Sequence, residues 1–540
     1  MRRAPSLMLA ALLPLASFAC APRDLGCWEG EYAVDSAADV EALEGYSCID
    51  GTLWIRAGSR GLEQIELVTG SLQVTGDGDL VGLTGLRQVD GGLVIRSAQA
   101  EDLGPLAALE STFSIRLWDM PALKTLEGLP ALELEYFTLD ELPALETLQG
   151  AEGLDLEGGV LRIENVPVSD LTPLGHVREL TTLTIEGSPN LDFSGLSSLE
   201  RVESFELLRF TGDDLEGLVG LREVGSIEVF GGTLKTFAGL EQVDTLRSLW
   251  IHDIEHMDAL SGLSSVRTLE ILNLTDTGVA DFSGLEQLES VQNILLRRNA
   301  GLENLSGLSG LRTLSTLEAN ENPALRSLEG LGPLEGPIER VEINDAPALQ
   351  SLAGLSGIDR IDELTLTQLP ALESIAALDG LAHTTSLIIA GSPMLSSLAG
   401  LESLETTGVL ELRGNPALES LAPLANLHAA TRVQLWGNTS LVDLTGLGQL
   451  GTLQSLEITH NAGLQSLAGL DGLERVLERT NLYSNLALTD LGPLAAIDPG
   501  ATLEVNKNAA LCAGDVQAWL DALAEAGWSG EATVGEQAEC

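Results

Sequence analysis

A chain of 540 residues with 80 Asp and Glu against 28 Lys and Arg carries a formal net charge of -52. Such a surface repels phosphate polymers and anionic membranes, which excludes nucleic acid as a partner class. Aromatic residues make up only 4% and apolar residues 44%, with 58 glycines, so the core has to be built mainly from Leu, Val and Ile, in a few ordinary domains or in one repeating array.

Residues 1–19, MRRAPSLMLAALLPLASFA, open with Arg2 and Arg3, continue with an apolar stretch too short to span a bilayer, and end in small residues at Ser17 and Ala19. That is the layout of an export signal. The junction with Cys20 resembles a bacterial lipoprotein processing site, which would place an acyl chain on Cys20; Ser17 stands where that motif usually has Leu, and cleavage after Ala19 with release is the alternative. The expectation is an exported protein of the cell envelope, an outer-membrane lipoprotein or cell-surface protein. It would touch the membrane only through the lipid on Cys20, since no later apolar run reaches the ~18 residues of a spanning helix.

The other four cysteines lie as one pair near each end, Cys27 with Cys48 and Cys512 with Cys540. In an oxidising compartment those are the economical disulfides, although spacing alone leaves other connectivities open.

Between the ends one frame repeats. LELRGNPALESLAPL (410–424), VQLWGNTSLVDLTGL (433–447) and LEITHNAGLQSLAGL (456–470) align without gaps at a period of 23. With the second apolar residue of each short strand as marker, the frame runs through Ile55, Val74, Ile95, Leu117, Leu139, Ile163, Ile185, Leu207, Val229, Ile251 and Leu274. It continues through Leu296, Ala319, Ile343, Leu366, Ile389, Leu412, Leu435, Ile458, Leu482 and Val505, about 21 turns in all. Alternation around each marker predicts a strand with two side chains inward, and S-L-x-G-L-x-x-L returns the chain with its leucines again inward. No turn can bury its apolar side alone, so stacking is required.

LQSLEITHNAGL (453–464) is similar to the repeat of leucine-rich repeat proteins, L-x-x-L-x-L-x-x-N-x-x-L. The resemblance implies an α/β repeat fold: a leucine-rich repeat solenoid with a continuous parallel β-sheet on its concave face and few regular helices outside the caps. Its Asn would be buried in the turn, pairing backbone groups that have no ladder partner; here it recurs as Asn299, Asn322, Asn415, Asn438, Asn461, Asn485 and Asn508. Earlier turns carry Ser188, Phe210, Gly232 and Ile254 instead, which argues against an unbroken asparagine ladder there. YAVDSAADVEALEGYSCIDGTLWI (32–55) resembles the opening of receptor L-domain repeats: strand, helix, strand. The expected organisation is a signal peptide at 1–19, an N-terminal anchor and cap at 20–52, the solenoid at 53–511 and a C-terminal cap at 512–540. In the last of these Val516, Trp519, Leu520 and Leu523 fall at helical spacing, as in a closing helix.

HDIEH (252–256) has the letter pattern of a class of zinc peptidases. That chemistry needs both histidines on one face of a helix, whereas the frame puts His252 on a strand and His256 in a turn. Zinc hydrolysis by His252, Glu255 and His256 is therefore the least favoured reading. GDGD (76–79) lacks the alternating oxygen ligands of a calcium loop and reads as a turn. No catalytic residue, metal site or cofactor is expected.

Information for a ligand would sit on the outward residues that flank each marker. Trp54, Trp118, Trp250, Trp436, Phe230 and Tyr483 occupy such positions, and rigid amphipathic rings on an open face suit sugar stacking or peptide anchoring. The densest group is Leu208, Phe230, Trp250 and His252, preceded by an acidic row of Asp140, Glu164 and Glu186. The expected function is non-catalytic binding of a protein or polysaccharide by a monomer; a structural envelope lipoprotein without a discrete ligand is the alternative.

Overall fold

The computed structural model describes residues 26–538, apart from 77–79, 190, 258, 493, 495, 496 and 536. The export signal, Cys20, most of the GDGD stretch and Cys540 lie outside the described residues.

Inward-outward alternation in every turn produces one parallel sheet of 26 strands. The marker frame and the observed register coincide: Ile55 pairs with Val74, Val74 with Ile95, and so on through Leu482 with Val505. The ladder also extends past both ends of that frame, with Val34 opposite Ile55 and Val505 opposite Val534. At the start each turn gives two short strands, Cys27–Glu29 with Tyr32–Val34 and then Cys48–Asp50 with Leu53–Ile55, around the short helix Ala37–Ala42. They fuse into single long strands at Gln88–Arg96 and Ser111–Trp118, split again around Tyr136–Asp140 and Val160–Glu164, and are long again from Glu179–Glu186. Mid-array strands reach ten residues, as in Arg201–Phe210 and Thr245–Ile254, and later ones shrink to five, as in Arg432–Trp436.

Behind the sheet a single apolar core runs from Val34 to Leu523. It is mostly Leu, Val and Ile, and Phe137, Phe193, Phe205, Phe210, Phe237 and Phe282 are its largest members. The return path is mainly turns and short 3-10 segments such as Gly104–Leu106 and Phe193–Leu196. Its recurrent Gly is a steric requirement. Gly307 has φ +99°, and a Cβ there would stand 2.2 Å from the Phe282 carbonyl oxygen of the preceding turn.

The seven asparagines are completely buried and linked. The backbone N–H groups of Asn299, Asn415, Asn438, Asn461 and Asn485 donate to the asparagine side-chain oxygen of the next turn, as from Asn438 to Asn461 at 2.9 Å, while all seven amide Nδ2 groups donate to a marker carbonyl behind them, as from Asn461 to Leu435 at 2.9 Å. The chain of amides is interrupted between Asn322 and Asn415, where Ala346, Leu369 and Ser392 fill the position.

Cys27 and Cys48 form a disulfide that ties the first two turns. Cys512 is disulfide-bonded as well. It leads into the helix Ala513–Glu525, which covers the last turn with Val516 and Leu523. Trp519 packs partly buried beside them and donates from Nε1 to the Leu494 carbonyl at 2.8 Å.

Candidate binding face

The outward residues of the sheet form two long rows, one on each side of the markers. Leu208, Phe230, His252 and Thr275 are successive partners in one row, and Glu228, Trp250 and Asn273 in the other. The structure therefore brings the densest predicted group together. Phe230 is 52% exposed, the His252 ring lies 6.4 Å from it, and Trp250 stacks on His252 at 6.1 Å. These separations suit ring-to-ring contact. Burial holds the His252 imidazole below its ordinary pKa, against the opposing pull of Glu228 and Asp276.

The HDIEH stretch supplies the end of a strand and a turn. Thr245–Ile254 is extended, Ile254 is buried, and Glu255 and His256 are exposed in the turn that follows. The two histidines thus share no helix face. Among the described residues no group of three or more His, Cys, Asp and Glu is arranged to hold a metal.

The acidic row is engaged within the protein. Asp140 accepts from Arg116 at 3.4 Å and is only 9% exposed, Glu164 lies 3.8 Å from Arg162, and Glu186 pairs with Arg209. Burial first, then the Asp140 and Glu186 carboxylates, push the Glu164 carboxyl above its ordinary value, against Arg162 and Arg116. A carboxyl whose pKa rises on folding adds stability while protonated, below the unfolded pKa, and loses that contribution as pH climbs through the raised value. Glu164→Gln should therefore raise the melting temperature at about pH 7, and the gain should shrink as melts are repeated toward about pH 5. A gain that grows on acidification would contradict this account.

Trp118 is also occupied by the protein itself: the Arg96 guanidinium sits 3.8 Å over its ring, Arg116 lies at 5.1 Å, and its Nε1 donates to Glu141 at 3.2 Å. Trp54 is half-buried, and its neighbour Arg56 turns to Asp35 at 3.0 Å.

A third row was missed. The second residue after each marker adopts a left-handed conformation along nearly the whole array, and at fourteen described positions it is not glycine, among them Arg209 (φ 49°), Asp253 (φ 57°), Arg298 (φ 53°) and His460 (φ 60°). This geometry costs an L-residue roughly 1–2 kcal/mol. It leaves the residue's own side chain on the open face, while the residue that follows, as at Asn461 and Asn508, is buried. His460 consequently comes between Trp436 and Tyr483, at ring distances of 5.6 and 5.3 Å, and Lys507 from the same row lies 5.2 Å over Tyr483. A second aromatic group results, of which only Trp436 and Tyr483 were foreseen.

Strand register, inward leucines and the buried asparagine turn decide the architecture. The fold is a leucine-rich repeat solenoid. No protein-family model matches the chain, and no curated protein does. Among solved structures, an internalin from Listeria monocytogenes is similar at 18% identity, covering 60% of this chain and 88% of its own, with a TM-score of 0.29. A TLR13–ssRNA13 complex aligns at 14% identity over 93% of this solenoid and 90% of that chain, with a TM-score of 0.30. The Leptospira interrogans LRR protein LIC12759 aligns at 12% identity over 93% and 99%, with a TM-score of 0.19. None of these likenesses bears on what this solenoid binds.

Proposed function

We propose that the protein is a non-catalytic binding protein of the cell envelope, exported and anchored by lipid on Cys20, which engages a protein or glycan as a monomer through the concave face of its sheet. The observation that carries this reading is the cluster of Phe230, Trp250 and His252 on the outward face, with Phe230 half exposed. Elsewhere on that face charges are largely paired, so these rings are apolar area that has no internal partner comparable to a core contact, and exposed aromatic anchors dominate recognition surfaces. The net charge of -52 disfavours phosphate polymers as the ligand. The strand, helix and strand within residues 32–55 support a receptor L-domain-like start of the array.

The test is a glycan array together with a pull-down from envelope extract, using the mature protein and its Phe230→Ala and Trp250→Ala variants. Each variant should weaken binding roughly 10- to 100-fold with an unchanged melting temperature. Wild-type binding by both would reject the Phe230 patch. Mass spectrometry of the processed N-terminus reads the anchor separately: an unmodified Cys20 would remove the membrane part of the proposal.

A further inference from the structure

Eight turns along the sheet from Trp250, roughly 38 Å at ~4.8 Å per strand, lies Trp436, the most open tryptophan of the outward rows at 46% exposure. It belongs to a grid of two rows by three turns: Glu411, Gln434 and Glu457 on one side of the markers, and Arg413, Trp436 and Thr459 on the other. The grid encloses a groove of about 260 Å³.

Two features give this groove a chemistry. Its charges are neutralised at the corners, since Arg413 binds Glu411 at 2.6 Å and Arg479 lies 3.8 Å from Glu457. Its centre is polar, uncharged and unoccupied by protein: among the described residues the Gln434 amide, the Trp436 indole N–H and the Thr459 hydroxyl form no hydrogen bond within the protein. The wall behind the ring is bare as well. Where most turns carry a side chain in the left-handed row, three consecutive ones here have Gly391, Gly414 and Gly437 (φ 71°, 62° and 69°), and the Trp436 ring lies against Gly414. His460 and Tyr483 buttress the other side, with Lys507 covering Tyr483.

We infer that this groove is a second subsite, for one ring of an uncharged polysaccharide, with Trp436 stacking on the apolar face of the sugar and Gln434 and Thr459 bonding its hydroxyls. A ring that is apolar on its face and polar on its rim matches an indole bordered by free amide and hydroxyl groups. An anionic sugar would meet Glu411 and Glu457, and a cationic one Arg413 and Arg479. The inference rests on the concave-face reading above and is independent of the Phe230 patch.

Affinity electrophoresis of the full chain tests it, in gels holding one polysaccharide each: a mixed-linkage glucan, a mannan, a galactomannan, a dextran and, as the acidic comparison, polygalacturonate. At least one neutral polymer should retard the wild type. Trp436→Ala should weaken that retardation about tenfold, Gln434→Ala several-fold, and Trp436→Phe should keep most of it, while the melting temperatures stay put. The inference is overturned if no neutral polymer retards the protein, if polygalacturonate alone does, or if immobilised protein enriches only members of a random peptide library through Trp436. It is also overturned if Trp436→Ala is retarded like the wild type. In that last case, loss of retardation in Phe230→Ala leaves the first patch standing and removes only the second.

Discussion

Gly307→Ala should destabilise the middle of the array by about 3–5 kcal/mol, the combined order of left-handed backbone strain and forced displacement of packed neighbours. The new methyl has nowhere to go: it would sit 2.2 Å from the Phe282 carbonyl oxygen and 2.3 Å from the carbonyl carbon, which are backbone atoms of the turn before. Gly262, Gly284 and Gly330 occupy the same place in neighbouring turns with similar overlaps, so the obstruction belongs to the stacking distance itself. Gly357→Ala is the internal comparison. It shares a positive φ (+79°) but meets nothing within 4 Å, and should cost only the conformational part, roughly 1–2 kcal/mol. Because each turn contacts only its neighbours, the damage should be local. Hydrogen exchange should accelerate around residues 282–330 before the caps respond. Equal losses for the two variants would show that close stacking is not what selects glycine there.

Asn461→Ala should cost roughly 2–6 kcal/mol, because it leaves two buried backbone groups without a partner at about 1–3 kcal/mol each. Those groups are the Asn438 N–H, which donates to the Asn461 side-chain oxygen, and the Leu435 carbonyl, which accepts from its Nδ2. Asn461→Leu restores volume without restoring either bond and should be nearly as damaging. Ser392→Ala should be close to neutral, since the buried Ser392 hydroxyl has no hydrogen-bond partner and its backbone N–H keeps the bond to Asn415. Denaturant melts of the three variants decide the matter. A cost at Ser392 matching that at Asn461 would mean that burial alone, and not amide pairing, governs this position.

Period and alternation were enough to place the strands, because a residue that must face a shared core in every turn leaves a mark at constant spacing. The markers from Ile55 to Val505 consequently anticipate the register pair by pair. Other features leave no such mark. Left-handed backbone at Arg209, Arg298 or Lys507 is invisible in the letters, since these residue types do not favour it. Counting only the residues beside each marker therefore overlooked the row that carries His460 and Lys507 onto the face. Satisfaction of charge also depends on neighbours one turn away: Asp140 and Trp118 read as exposed candidates, yet Arg116 and Arg96 already occupy them. Phe230, Trp250 and His252 were legible as a group because their positions follow directly from the register.

One consequence of that uniform register concerns how such a protein changes over generations. The gap between the two aromatic groups is counted in whole coils, each adding one strand of ~4.8 Å and the small rotation that gives a solenoid its twist and curvature. Excision of residues 344–366, one coil of 23 residues from just past Ile343 to Leu366, would draw the groups one strand closer and leave both on the same face of the sheet. Unequal recombination within the gene would then change the spacing of the two groups in whole-strand steps while the chemistry at each end is kept.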